Sequence, residues 1–299
     1  MRQLQLKNLT WIDILKPQEK DIDFLRKNFD FHPLILREIK NPTFHPLFES
    51  YENYLYWILH FPSWGNNSHI VSQEVDFLIT KDALITIRYR KFGDFEEIFK
   101  KIEKNQNNLF FETSSHLFYQ IVKQLFDDTF PELDKIEKKI DQIEEKIFVK
   151  FDEGVIEKMA EIKFNIIDFI KAAKPQQFIW QTVQDKVLKF WGAEFKPYFS
   201  DLFTNYHRVL HIIETQQKVI DTLYSSSDAL LSNKRNYVIK ILTIFTAILL
   251  PLSLVASLYG MNLKYLPLSS YPFAFWGFVI FMGLVSLLAL IYFKFKKWL

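Results

Sequence analysis

The chain has no cysteine in its 299 residues, which excludes a disulfide framework and thiolate sites for zinc or iron–sulfur clusters. Seven glycines are too few and too scattered for a phosphate-cradling loop, and neither GxGxxG nor GxxxxGK[ST] occurs. A net charge of only +2 argues against a polyanionic partner, nucleic acid included. The opening MRQLQLKNLTWIDIL lacks the apolar centre of a signal peptide, so the N-terminal part reads as a domain that is not exported. No Ser/His/Asp or paired-carboxylate arrangement stands out, so neither enzyme chemistry nor a resident cofactor is expected. His207 and His211 stand i, i+4 on one helical face, a spacing that suits zinc. The residue beside the first is Arg208, where a metalloprotease helix needs Glu, and no third ligand is near; they read as stalk surface. After Asp228 the chain contains no Asp or Glu at all.

What the C-terminal part does contain is two long charge-free runs. Residues 241–258 and 271–293 carry no Asp, Glu, Lys or Arg, and each is about as long as a helix needs to cross the hydrocarbon core. Lys234, Arg235 and Lys240 precede the first run, and Lys294, Lys296 and Lys297 follow the second, while Lys264 alone stands between them. This asymmetry places both termini in the cytoplasm and the connecting loop outside. Tyr237, Tyr259, Tyr271, Trp276, Tyr292 and Trp298 fall near the expected interfaces. The reading is a multi-pass protein of the cell (inner) membrane.

The first run is unusual in its polar residues. Asn236, Ile239, Thr243, Thr246, Leu250, Ser253 and Ser257 recur every three or four positions, which puts them on one helical face. Lipid cannot satisfy amide and hydroxyl groups, so that face must meet protein or water. Helix packing explains such a stripe in part; the wall of a pore explains it as well, and a pore needs several copies of the chain. The helix ends in Gly260-Met261-Asn262.

Residues 1–115 read as an α/β domain, with strands over 54–60, 74–80 and 83–89 and helices over 17–28, 33–39 and 94–104. Residues 116–235 read as long helices. Leu133, Ile136, Ile140, Ile143 and Ile147 form a heptad seam, the chain breaks at 151–154, and a second helix runs back over 155–188 with a kink at Pro175. The acidic residues on the first of these helices read as a solvated face. Between Pro197 and Pro251 there is neither proline nor glycine, and Phe199, Leu202, Tyr206, Val209, Ile213, Gln216, Ile220 and Leu223 keep a helical rhythm. One helix of about 60 residues, roughly 90 Å, is expected to enter the first span. The remaining divisions are a pore-lining span at 236–260, an external loop at 261–270, a second span at 271–293 and a basic tail at 294–299.

Two apolar spans with GMN at the outer end of the first resemble the CorA family of magnesium/cobalt transport proteins. The stretch from Ser232 to Thr243, the intramembrane Pro251, and the ending Phe295-Lys296-Lys297-Trp298-Leu299 are similar to that family. So are His32-Pro33-Leu34, the Phe48 to Leu59 segment and Lys196-Pro197-Tyr198-Phe199-Ser200-Asp201. The resemblance implies an α+β (αβα) cytoplasmic domain with long coiled-coil-like helices, assembled as a funnel-shaped homopentamer in the lipid bilayer. It implies a channel for hydrated Mg²⁺, with Co²⁺ or Ni²⁺ as further cargo, gated by intracellular Mg²⁺. Gly260, Met261 and Asn262 match its selectivity filter. Asn236, Ile239, Leu242, Leu250 and Ser253 match positions that line or constrict its pore, beside Thr243 and Thr246 on the polar face. Asp201 matches a carboxylate that in some relatives helps bind regulatory Mg²⁺. No partner carboxylate for it is found in the loop around Gly65 to Ser68. A zinc transporter on the same scaffold and a non-conducting membrane-anchored sensor are the competing readings; GMN rather than GVN argues against the first.

Overall fold

The computed structural model describes residues 1–65, 69–91, 93–104, 113–149, 154–261 and 273–296. Contacts divide the chain into two units, Met1–Leu223 and Tyr224–Leu299.

The first unit is built on six strands: β1 Arg2–Gln5, β2 Thr10–Leu15, β3 Leu47–Ser50, β4 Leu55–Trp64, β5 Ile70–Ile79 and β6 Ala83–Arg88. They form one sheet in the order β1-β2-β6-β5-β4-β3. Only β2 and β6 run parallel; the other neighbours are antiparallel. Helices cover both faces, so β4 and β6 are near-continuous apolar runs rather than alternating ones.

One face carries Ile12, Ile14, Ile58, Leu78, Ile85 and Ile87 against Ile22 and Leu25 of α1 (Glu19–Asn28) and Ile35 and Leu36 of α2 (Pro33–Glu38). Pro33 occupies the first turn of α2, where its missing N–H costs nothing, and the ring of His32 accepts from Leu34 N–H. The other face is aromatic. Trp11 packs on Phe99 of α3 (Gly93–Lys104) at 4.8 Å. Trp57 stacks on Phe118 of α4 (Ser114–Asp127) at 5.2 Å and meets Trp180 at 4.8 Å.

A buried ion cluster crosses the parallel pair. Arg88 of β6 holds Asp13 of β2 through Nε at 3.0 Å and Nη2 at 2.7 Å, and Arg2 adds a second guanidinium at 2.7 Å. Burial pushes the Asp13 carboxyl up, but the two arginines outweigh it and hold it below the usual carboxylate value.

The heptad seam lies on α5 (Phe130–Val149), with Leu133, Ile136, Ile140, Ile143 and Ile147 all buried. The expected return helix is broken instead of kinked. It is α6 (Gly154–Ala173), a 3₁₀ turn at Lys174–Gln176, α7 (Gln177–Thr182) and α8 (Gln184–Trp191). Pro175 cannot donate to the helix, and the tighter turn replaces the lost bond. Gly192 follows α8 at φ +101° and ψ 161°, a region closed to other residues. A Cβ there would collide with the Glu194 carboxylate.

The helix α9 runs unbroken over Lys196–Gly260, 65 residues with Pro251 inside it. The last helix, α10, covers Ala274–Phe295. Both are long and apolar enough to cross a membrane.

Candidate functional site

Within the second unit, α9 has two contrasting sides. Ile244 is buried and Ile241, Ile248, Leu252 and Val255 are half-buried, all at helical spacing. The side carrying Asn236, Ile239, Leu242, Thr243, Thr246, Leu250, Ser253 and Ser257 is exposed throughout. An open groove of about 480 Å³ runs along that side between Ile239 and Pro251.

The hydroxyls on this side are turned in one direction. Thr243 Oγ1 donates to Ile239 O at 2.8 Å, Thr246 Oγ1 to Leu242 O at 2.8 Å, and Ser253 Oγ to Leu250 O at 3.0 Å. Each proton is therefore spent inside the helix, and what each oxygen offers outward is its lone pairs. Pro251 extends the pattern. It has no N–H, so the carbonyl of Ala247, four residues back and on the wall of the same groove, lacks its helical donor. The face is a ladder of acceptors separated by the apolar side chains of Ile239, Leu242 and Leu250. Water molecules held by a cation point their hydrogens outward, so a ladder of acceptors suits a hydrated ion that keeps its shell.

At the far end, α9 closes on Gly260, whose missing Cβ faces open space, and Met261 is exposed. Asn262 lies outside the described residues, as do Lys264, most of the loop and the last three residues.

The first unit places Asp201 on the opening turns of α9 against α4. Asp201 Oδ2 accepts from Tyr119 Oη at 2.8 Å and from Lys123 Nζ at 3.0 Å, and Lys123 also donates to Tyr119 Oη at 2.9 Å. Burial raises the Asp201 carboxyl, but the ammonium and the phenol outweigh it and leave it below the usual carboxylate value. The same contacts raise Lys123. Sequence reasoning named Asp201 without these partners; the one available signal was the i, i+4 spacing of Tyr119 and Lys123. The carboxylate is already served by an ammonium ion, and no group of three or more His, Asp or Glu that could hold a metal exists among the described residues.

A family model described as CorA-like Mg²⁺ transporter protein matches residues 7–297. The chain belongs to that family. A cobalt/magnesium transport protein CorA from Thermotoga maritima is 29% identical over 97% of the chain and 83% of the relative. A second protein of that name, from Methanocaldococcus jannaschii, is 23% identical over 97% of the chain and 92% of its own length. The complete structure of the CorA magnesium transporter from M. jannaschii superposes with a TM-score of 0.85 at 22% identity, covering 100% of the chain and 95% of that structure. The fold is therefore the CorA fold: an α/β domain, a long helix and two C-terminal apolar helices.

Proposed function

We propose that five copies of this chain form a channel that lets hydrated Mg²⁺ enter the cell, with Co²⁺ as a second cargo and Ni²⁺ as a further one. The observation that carries this reading is the acceptor face of α9: hydroxyl protons spent on the helix, a carbonyl freed by Pro251, and no carboxylate anywhere after Asp228. Mg²⁺ dehydrates reluctantly, and this face asks nothing of its inner shell. The names of the relatives supply the cargo class. One helix cannot enclose a pore, so the exposed side of α9 faces its copies around a closed ring.

Asn236, Ile239, Leu242, Thr243, Thr246, Leu250 and Ser253 line the pore in this reading, and the apolar rungs at Ile239, Leu242 and Leu250 close it by dewetting. Gly260, Met261 and Asn262 form the outer filter, where a ring of Asn262 amides accepts from the ion's bound water. Both termini lie in the cytoplasm of the inner membrane, on the lysine and arginine distribution. The membrane potential drives entry, at about 4.6 kcal/mol per 100 mV for a divalent ion.

The test is Mg²⁺ entry into proteoliposomes held at an inside-negative potential, for wild type and Asn262→Ala. Flux that falls or loses selectivity in the variant is expected. Equal flux in both would remove Asn262 as the filter, and no flux in either, from pentameric and inserted protein, would overturn the channel reading.

A further inference from the structure

Conduction leaves one group of buried titratable residues in the first unit unused. Asp76 of β5 is 1% exposed, and Glu74, on the same face of that strand, sits directly opposite His60 of β4. Unlike Asp13, neither carboxylate forms an ion pair with an arginine or lysine among the described residues; the ion-pair contact of Glu74 there is with His60, at 3.4 Å. Asp76 Oδ1 and His60 Nδ1 are buried without a partner.

Tyr89 Oη has a single proton, yet it lies 3.2 Å from Ile39 O and 2.9 Å from Asp76 Oδ2. The Ile39 carbonyl can only accept. When Tyr89 gives its proton to Ile39 O, its contact with Asp76 Oδ2 is a hydrogen bond if Asp76, as a carboxylic acid, donates to Tyr89 Oη; Tyr56 Oη also lies 3.4 Å from the same Oδ2. Two buried carboxyl groups close together without a neutralising base also cannot both ionise cheaply. Consistently, burial first and the neighbouring Glu74 second push the Asp76 carboxyl well above its usual value.

This network fastens a single segment. Beyond the Ile39 carbonyl, Thr43 is gripped through both of its backbone groups: its N–H donates to Glu74 Oε1 at 3.0 Å, and its C=O accepts from His60 Nε2 at 3.0 Å. Since that carbonyl only accepts, Nε2 carries the imidazole hydrogen. Residues 39–46 are thus held on the sheet by side chains of β4 and β5 and by Tyr89, and they present Phe44, 91% exposed, between Pro42 and Pro46. Cavities of about 230 and 540 Å³ flank the segment. The other ionisable groups facing the network are Glu38 of α2, His45 of the segment, Tyr56 of β4, Arg90 after β6, and Asp168 and Lys171 of α6.

We propose that Asp76 is a proton-binding site and that its proton latches residues 39–46 to the sheet. With the proton bound, Tyr89 is free to donate to Ile39. Once it is lost, the Tyr89 hydroxyl turns to the new carboxylate, Ile39 O loses its donor, and the charges at 74 and 76 repel on one face, loosening the Glu74 grip on Thr43. The sign follows: the segment is closed at low pH and released as pH rises through the folded-state pKa of Asp76.

The experiment uses the full-length protein in detergent or nanodiscs. Infrared spectra of wild type and Asp76→Asn at neutral pH are compared for a protonated-carboxyl C=O stretch. The band is expected in wild type and absent from the variant; identical spectra overturn the proposal. The pH is then raised until the band disappears, while hydrogen exchange of residues 39–46 is followed with correction for the intrinsic pH dependence. Exchange in wild type is expected to rise about tenfold with loss of the band and to stay flat in Asp76→Asn, which keeps a donor and no charge. Protection that is unchanged while the band vanishes, or that is lost equally in both proteins, overturns the latch. Glu74→Gln, which removes the repelling charge, is expected to move loss of the band to lower pH, because Asp76 then ionises more readily; an unchanged or higher pH for its loss overturns the coupling.

Discussion

The acceptor ladder on α9 makes its sharpest prediction at Thr246. Replacing Thr246 with Val keeps the shape and β-branching of the side chain and deletes one oxygen. The helix itself loses little, because the Leu242 carbonyl that accepts from Thr246 at 2.8 Å keeps its backbone partner. In the proposed pore every subunit loses an acceptor and gains a methyl group, which disfavours wetting beside the Leu242 and Leu250 rungs. A hydrogen bond between neutral groups contributes about 1 kcal/mol net, and one made under the field of an ion about twice that. Taking one such contact as lost at the barrier, flux should fall by about tenfold, the equivalent of about 1.4 kcal/mol. Thr246→Ser, which keeps the oxygen, should stay near wild type. Ser286→Ala supplies the comparison on α10, where the hydroxyl is likewise tied to its own helix, donating to Met282 O at 2.9 Å, but lies off the proposed pore. The assay is Mg²⁺ entry into proteoliposomes at matched pentamer content. Wild-type flux through Thr246→Val, or equal losses for Thr246→Val and Ser286→Ala, would refute the placing of this face on the pore.

Two further expectations concern the first unit. Asp13→Asn leaves Arg88 buried without its main counter-charge and should destabilise by about 3 kcal/mol or more, seen as a fall in Tm of about 6 °C or more. Asp23→Asn, at an exposed i, i+3 pair with Arg26, should cost under about 1 kcal/mol; equal effects from the two would contradict the role given to the buried cluster. For Asp201, the folded carboxyl titrates below its usual value, so its contribution is present at neutral pH and is lost as pH falls through the folded pKa. Because Asp201 and Lys123 are 42% and 36% exposed, the effect should be small. The melting difference between wild type and Asp201→Asn should shrink from neutral to acidic pH, and a difference that grew on acidification would reverse the assignment.

Legibility varied along the chain for physical reasons. The strand expected at 83–89 is β6, at Ala83–Arg88, and those expected at 54–60 and 74–80 are longer, as β4 and β5. Strands β1 to β3 were not anticipated. In β2, residues 11–14 are all buried and Asp13 sits among them, so neither alternation nor an unbroken apolar run marks the strand. What makes Asp13 tolerable there is Arg88, 75 residues away, and no local pattern reports that. The reach of Tyr119 and Lys123 to Asp201, and of Tyr89 to Ile39, has the same non-local origin. The break after Ala173 was visible as Pro175, but whether a proline kinks a helix or ends it depends on what replaces the missing bond.

The C-terminal part, by contrast, was readable from the chain alone. A bilayer demands long uninterrupted apolar stretches and satisfied backbone groups, so residues 241–258 and 271–293 announce two helices without reference to anything they pack against. The stalk shares that property, since an unbroken 3,4 rhythm with no proline or glycine specifies one helix locally. Tertiary structure decided what local rules cannot: which side of α9 is covered, where each hydroxyl proton goes, and which charges meet inside the sheet. Those depend on contacts between residues far apart in sequence. Periodicity constrains the face on which a side chain lies; only the folded chain determines what that face meets.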